Sequence, residues 1–212
     1  MNNVAVKVVL TVLLVGLMAY SVYTIVHIAG IWATESETTD ATLRLPPGAS
    51  LEDVALVDTS GKRFDFAALQ GQVWVGSMFF SKCPFECAQL NQQIQQLTED
   101  AELADVRFIS VSVDPENDTP EVLAEYAERF AADAKQWTFL TGPMTDIAVF
   151  GTKILRVQTG VQVHTPRLVL IDGEGKIRGA FLFSDADEMA KLRLAAARLQ
   201  KAETTNSQGA GE

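Results

Sequence analysis

Residues 73–87, VWVGSMFFSKCPFEC, join an apolar run to a Cys-x-x-x-Cys motif, and their reading decides the fold. The run 73–80 has the length and composition of a buried strand. Pro84 suits the first turn of a helix expected over residues 84–97. Cys83 then lies at or just before the helix start, and Cys87 one turn further on, with both sulfurs on one side. A helix N-terminus favours thiolate over thiol through its partial positive charge and free N–H groups. The carboxyl end of a central strand is also where α/β proteins bind ligands. The same pair reads alternatively as a structural disulfide or as buried residues. A bridge between positions four apart, however, gains little loop-closure entropy.

Outward from this stretch the pattern alternates. A second buried strand is expected at 106–113 (VRFISVSV). Thr119 caps a helix with Pro120 at its first position and Glu121 in its first turn, running to about residue 132. A strand at 137–140, a helix at 145–155 and a strand at 167–171 follow. The turn 173–176 leads back into a strand at 177–183, a hairpin, and a last helix is expected over 185–202. Upstream lie a short strand at 54–57 and a short helix at 64–69. The class is α/β, a mixed central sheet flanked by helices.

The apolar excess behind a mean hydropathy of +0.12 sits at the front. Residues 8–26 carry no charge, and the run continues to Trp32. At ~1.5 Å per residue this spans the ~30 Å hydrocarbon core of a bilayer. It exceeds the roughly 7–15 apolar residues of a cleaved signal peptide, and no Ala-x-Ala follows it. The expected organisation is a short cytoplasmic N-terminus (1–7), one transmembrane helix (8–32), a polar linker (33–50), one domain (51–202) and a disordered tail (203–212). Lys7 precedes the span, whereas Glu35, Glu37 and Asp40 follow it. The positive-inside rule therefore predicts a single-pass protein of the inner (cytoplasmic) membrane, with its domain in the periplasm or an equivalent exported compartment. His27, near the outer interface, reads as a wetted interfacial residue.

Net charge is −10, from 17 Lys+Arg and 27 Asp+Glu, and every acidic residue lies beyond the span. Such a balance excludes a nucleic-acid binder, which needs a basic footprint. With two Cys and two His, a disulfide framework or zinc cluster is excluded as well. His164 is the only histidine outside the membrane segment. It is followed by Thr165-Pro166, a loop that in thioredoxin-like folds packs against the cysteine motif. Two thiolates and one imidazole form a soft set suited to copper, above all Cu(I), and able to hold Cu(II) with a further weak ligand. A structural zinc would claim a fourth protein ligand. Asp114-Pro115 and Asp118-Thr119-Pro120 read as caps and turn formers, and Glu86 as a solvated residue.

Three stretches resemble the Sco/SenC (PrrC) family of membrane-anchored, thioredoxin-like copper proteins that assist cytochrome c oxidase assembly. They are MFFSKCPFEC, FISVSVDPENDTPEVLAEYAERF and HTPRLVLIDGEG, and the resemblance covers about residues 48–200. It implies a thioredoxin-like fold and copper ligation by Cys83, Cys87 and His164. The chain departs from the family pattern at Phe85, Ala88 and Val163, where Asp, Pro and Asp respectively are frequent. The implied function is a copper chaperone that serves the copper-binding subunit of cytochrome c oxidase or a similar cuproprotein. The alternative is a membrane-anchored thiol–disulfide oxidoreductase, in which Cys83 attacks and Cys87 resolves through a redox-active disulfide. A peroxide-reducing enzyme, with Lys82 as its local cation, and a non-catalytic binding domain rank behind these two.

Overall fold

The computed structural model describes residues 54–209 apart from Phe85 and His164, together with Leu13, residues 16–18, Tyr20 and Tyr23. The chain divides into two units, Met1–Ala41 and Thr42–Glu212. In the first, the described residues are helical and exposed. Among the described residues no helix is long and apolar enough to cross a membrane. Most of the expected span, the whole expected linker, and His164 lie outside them.

The second unit is built on strands β1 (Val57–Asp58), β2 (Trp74–Phe79), β3 (Arg107–Ser112), β4 (Trp137–Thr141), β5 (Arg167–Ile171) and β6 (Ile177–Leu182). Its helices are α1 (Glu86–Thr98), α2 (Pro120–Glu128), α3 (Met144–Val149) and α4 (Ala186–Gly209). The sheet order is β1-β4-β3-β2-β5-β6. β2, β3 and β4 run parallel, while β1, β5 and β6 are antiparallel to their neighbours. Every residue of β2 is buried, as a central strand covered on both faces requires.

Alternation along the strands sends side chains to two cores. Val75, Phe79, Phe108 and Phe139 pack with Leu90 and Ile94 of α1, Leu123 and Tyr126 of α2, and Leu192 of α4. Trp74, Met78, Ile109 and Val111 pack with Phe66, Ile147, Phe150 and Leu155 on the opposite face. Ser77 and Ser110, polar within the first core, satisfy each other at 2.8 Å, and Trp137 Nε1 donates to Ser110 Oγ at 2.9 Å. Buried polar atoms need such partners.

The departures from expectation have local causes. The strand expected at 54–57 is displaced to Val57–Asp58. Ala55 N donates to Asp146 Oδ2 at 2.9 Å instead of to a ladder partner. The helix expected over 145–155 is α3 followed by a π-helical turn, Phe150–Leu155, closed by Arg156 in the left-handed region (φ 55°). There Val157 N bonds Gly151 O at 2.9 Å, and a Cβ on Gly151 would lie 1.9 Å from Thr159 Oγ1. The chain thus crosses its own helix where only glycine admits it. α1 begins at Glu86, not Pro84. α4 runs on past Ala202 to Gly209, into residues expected to be disordered. Thr204 and Thr205 hydroxyls there donate back to Gln200 O and Lys201 O, and the Glu203 side chain lies against Gly173.

The strand-central Gly76 is set by packing. A Cβ there would approach Leu155 Cδ2 to 2.5 Å. Gly76→Ala is expected to destabilise the protein by about 1–3 kcal/mol through overpacking. Combining it with Leu155→Ala should cost less than the sum of the two single changes, because they share one space. Denaturant unfolding of the four proteins measures this.

Candidate metal centre

The end of β2 delivers Phe80 into a tight turn, in which Cys83 N donates to Phe80 O at 3.3 Å. Cys83 is half-buried and ends this turn, while Cys87, in the first turn of α1, is 1% exposed. The expectation that Cys83 lies at or just before the helix start is corrected: α1 starts at Glu86, and the deeper cysteine is the one within the helix. Neither Cys83 nor Cys87 is in a disulfide, and the Cys83 side chain lies close enough to act on the Cys87 thiol. Burial pushes the Cys87 thiol well above its ordinary value of 9.0, and neighbouring Cys83 and Glu86 add to this while a Phe80 backbone hydrogen bond opposes it. Cys87 is thus a proton-bearing thiol at neutral pH until a metal or base takes its proton.

The segment that leads to His164 is a turn, with Val163 N donating to Gly160 O at 2.9 Å. Its Gln162 has φ 54°. Gln162 N donates to Val113 O at 3.1 Å, and Nε2 to Asp114 Oδ2 at 3.0 Å. The flanking Val161 and Val163 are 62% and 50% exposed. The structure therefore brings Cys83 and Cys87 together; the third expected ligand, His164, lies outside the described residues. Among the described residues no group of three or more His, Cys, Asp or Glu is placed to hold a metal ion.

The reading of the acidic motif as caps and turn formers holds for Thr119 and for the turn at Asp114, where Asn117 N donates to Asp114 O at 3.0 Å, and is corrected for Asp118. Thr119 is the N-cap of α2, accepting Val122 N at 3.4 Å. Asp114 and Asp118 are 2% and 0% exposed. Asp118 Oδ2 accepts Ser81 N at 2.9 Å and Ser112 Oγ at 2.5 Å, and Oδ1 accepts Ser81 Oγ. Asp114 accepts Asn117 Nδ2 at 3.0 and 2.9 Å in addition to Gln162. A signal was present in the strand itself. Ser110 and Ser112 alternate on one face of an apolar strand, where polar groups require partners.

A mixed sheet with helices on both faces, and a dithiol at the carboxyl end of its central parallel strand, defines a thioredoxin-like α/β protein. The chain belongs to the SCO1/SenC family, whose profile matches residues 47–197. The SCO1 protein homolog of Bacillus subtilis (strain 168) is 30% identical over 141 residues, covering 62% of this chain and 73% of that protein. Among solved structures, BsSco, a Sco-family cytochrome c oxidase assembly protein with a disulfide switch, is 26% identical with a TM-score of 0.58; the match covers 68% of this chain and 91% of that one. Bradyrhizobium japonicum ScoI with copper bound matches at 24% identity and a TM-score of 0.57, over 69% of this chain and 96% of that one. That last likeness is one of fold.

Two measurements probe the geometry. In the reduced, metal-free chain, iodoacetamide is expected to label Cys83 roughly tenfold or more faster than Cys87. Labelling of Cys87 should keep accelerating above pH 9.0, and peptide mass mapping reads both rates. Separately, burial pushes the Tyr126 hydroxyl up to about 12, while its bond from Asn91 Nδ2, at 3.0 Å, works the other way. A raised folded-state value favours the neutral phenol, so this contribution to stability is complete below pH ~10 and is lost as pH rises to about 12. Tyr126→Phe should flatten that alkaline limb in pH-dependent unfolding.

Proposed function

We propose that this chain is a membrane-anchored copper chaperone. In this reading one copper is held by Cys83, Cys87 and His164 and delivered to the copper centre of cytochrome c oxidase. The observation that carries it is the pair of cysteines, neither in a disulfide, brought together at the carboxyl end of β2. The segment leading to His164 is tied to the end of β3, the strand beside β2. Family membership, and the copper bound in ScoI of Bradyrhizobium japonicum, support this choice of cargo. The assembly role of BsSco supports the choice of client. Residues 8–32 are the proposed anchor, and the charge asymmetry about them supports export of the domain to the periplasmic side.

Chemically, both thiols must lose protons to ligate, so loading copper releases protons. With Cys87 held as the thiol at neutral pH, apparent affinity rises with pH by about tenfold per proton displaced per unit. The half-buried Cys83 is the accessible side of the site, from which a client's thiolate or imidazole can begin ligand exchange. The same dithiol supports a second reading, because one accessible and one buried thiol can reduce a client disulfide. Cys83 thiolate attacks one client sulfur and releases the other as thiolate. Cys87 then gives up its proton and attacks the Cys83 sulfur, releasing the client's bound sulfur as thiolate and leaving a Cys83–Cys87 bridge and a reduced client.

Copper titration of the full reduced chain in detergent, at several pH values, separates the two. The chaperone reading expects one copper per chain and affinity rising with pH. It also expects Cu(II) binding weakened at least about tenfold by His164→Ala. Unchanged Cu(II) affinity and spectrum in that variant would remove the three-ligand site. A reductase would instead keep its dithiol activity without His164 and lose it without either cysteine.

A further inference from the structure

We infer that Asp114 and Asp118 are positioning residues that hold the two ligand-bearing loops of the copper site on a single turn. Asp118 secures the cysteine loop, and Asp114 secures the histidine loop. The inference rests on the ligand set proposed above and adds what keeps its parts in register.

Both residues belong to the turn that leaves β3 and enters α2. That turn is closed from within, with Asn117 N and Asp118 N donating to Asp114 O at 3.0 and 2.8 Å, and Asp114 N donating to Ser112 Oγ at 3.0 Å. Since Thr119 already caps α2, neither carboxyl group is needed for the helix start. Their side chains instead reach two loops distant in sequence. Asp118 binds both the backbone N–H and the hydroxyl of Ser81, two residues before Cys83. Asn117 reinforces this arm, its Oδ1 accepting Lys82 Nζ at 2.5 Å. On the other side Asp114 accepts Gln162 Nε2, two residues before His164.

Gln162 carries a further sign of constraint. Its φ of 54° lies in the left-handed region, which a non-glycine residue occupies only where surroundings hold it. Two bonds hold it here, from its N to Val113 O and from its Nε2 to Asp114, both at the end of β3. The asymmetry of this arrangement makes the inference testable. Loosening the Asp114 arm should disturb the imidazole while leaving the two sulfurs where they are. Loosening the Asp118 arm should disturb the sulfurs.

The experiment uses the full chain in detergent, reduced for Cu(I) competition titrations and metallated with Cu(II) for absorption and electron paramagnetic resonance spectra. Gln162→Ala is expected to weaken Cu(II) binding about tenfold and shift its spectrum, with Cu(I) affinity kept within about threefold. Ser81→Ala is expected to weaken both ions. Exchanging donor and acceptor, Asp114→Asn with Gln162→Glu, should recover the Cu(II) spectrum, which a role in general stability would not predict. If Asp114→Asn fails to fold, Gln162→Ala decides alone. Wild-type Cu(II) affinity and spectrum in Gln162→Ala, alongside a loss in His164→Ala, would overturn the inference and leave the ligand set standing. Equal losses of Cu(I) and Cu(II) in Gln162→Ala would overturn it too. A wild-type response from His164→Ala would remove the ligand set, and the inference with it.

Discussion

A carboxyl group buried without satisfied oxygens would be too costly for a fold of this size to carry. Asp118 is fully buried, and it is accommodated because three donors converge on it: Ser81 N, Ser81 Oγ and Ser112 Oγ. Those donors come from the cysteine loop and from the last residue of β3, so meeting the need of one side chain brings the end of β2 and the end of β3 into fixed relation. Loss of the Ser81 hydroxyl would leave the buried Oδ1 unpaired, a loss larger than the net worth of one hydrogen bond, whereas Oδ2 has two donors. The cysteine turn, with Cys83 at its end, is therefore held by polar satisfaction at its base, while helix α1 places the Cys87 sulfur.

The rest of the unit supplies a rigid frame for that junction. β2 and β3 pair in parallel from Trp74↔Arg107 to Phe79↔Ser112, so their carboxyl ends emerge side by side. Two cores cover the two faces, and each is interlocked by rings; Phe79, Tyr126 and Phe139 pack against one another beneath the site. Tyr126 also touches Asn91, one turn beyond Cys87 on α1. Cys87 belongs to the same core cluster and is 1% exposed, and this burial is the main cause that pushes its thiol up. Cys83 is half-buried, and Val161 and Val163 in the turn before His164 are exposed.

Much of this architecture was legible in local pattern. Thr119-Pro120-Glu121 marked the start of α2 to the residue, since a cap, a fixed φ and an acidic first turn act within four positions. The turn after β5 was equally plain, because Asp172 Oδ1 closes it by accepting Glu174 N and Lys176 N over short separations. The π-helical turn was not legible. It depends on Thr159 crossing Gly151, a meeting of chain segments that periodicity does not encode. The displaced first strand has the same origin, because its backbone donor is taken by Asp146, 91 residues away. The helical end of α4 escaped notice because its polar, small-residue composition reads as tail. There the Glu203 side chain lies against Gly173, a contact distant in sequence.

By itself the sequence determined the order of strands and helices, the α/β class, and an inventory of two cysteines and one histidine outside the apolar N-terminal stretch. Those are matters of short-range periodicity, capping and composition, for which neighbours within a few residues suffice. Tertiary structure alone decided that Cys87 is the buried thiol and Cys83 the accessible one, and that Asp114 and Asp118 bind loops instead of capping a helix. The two decisive bonds link residues 37 and 48 apart. Only the register of neighbouring strands brings such distant groups within reach, and only burial makes their pairing obligatory.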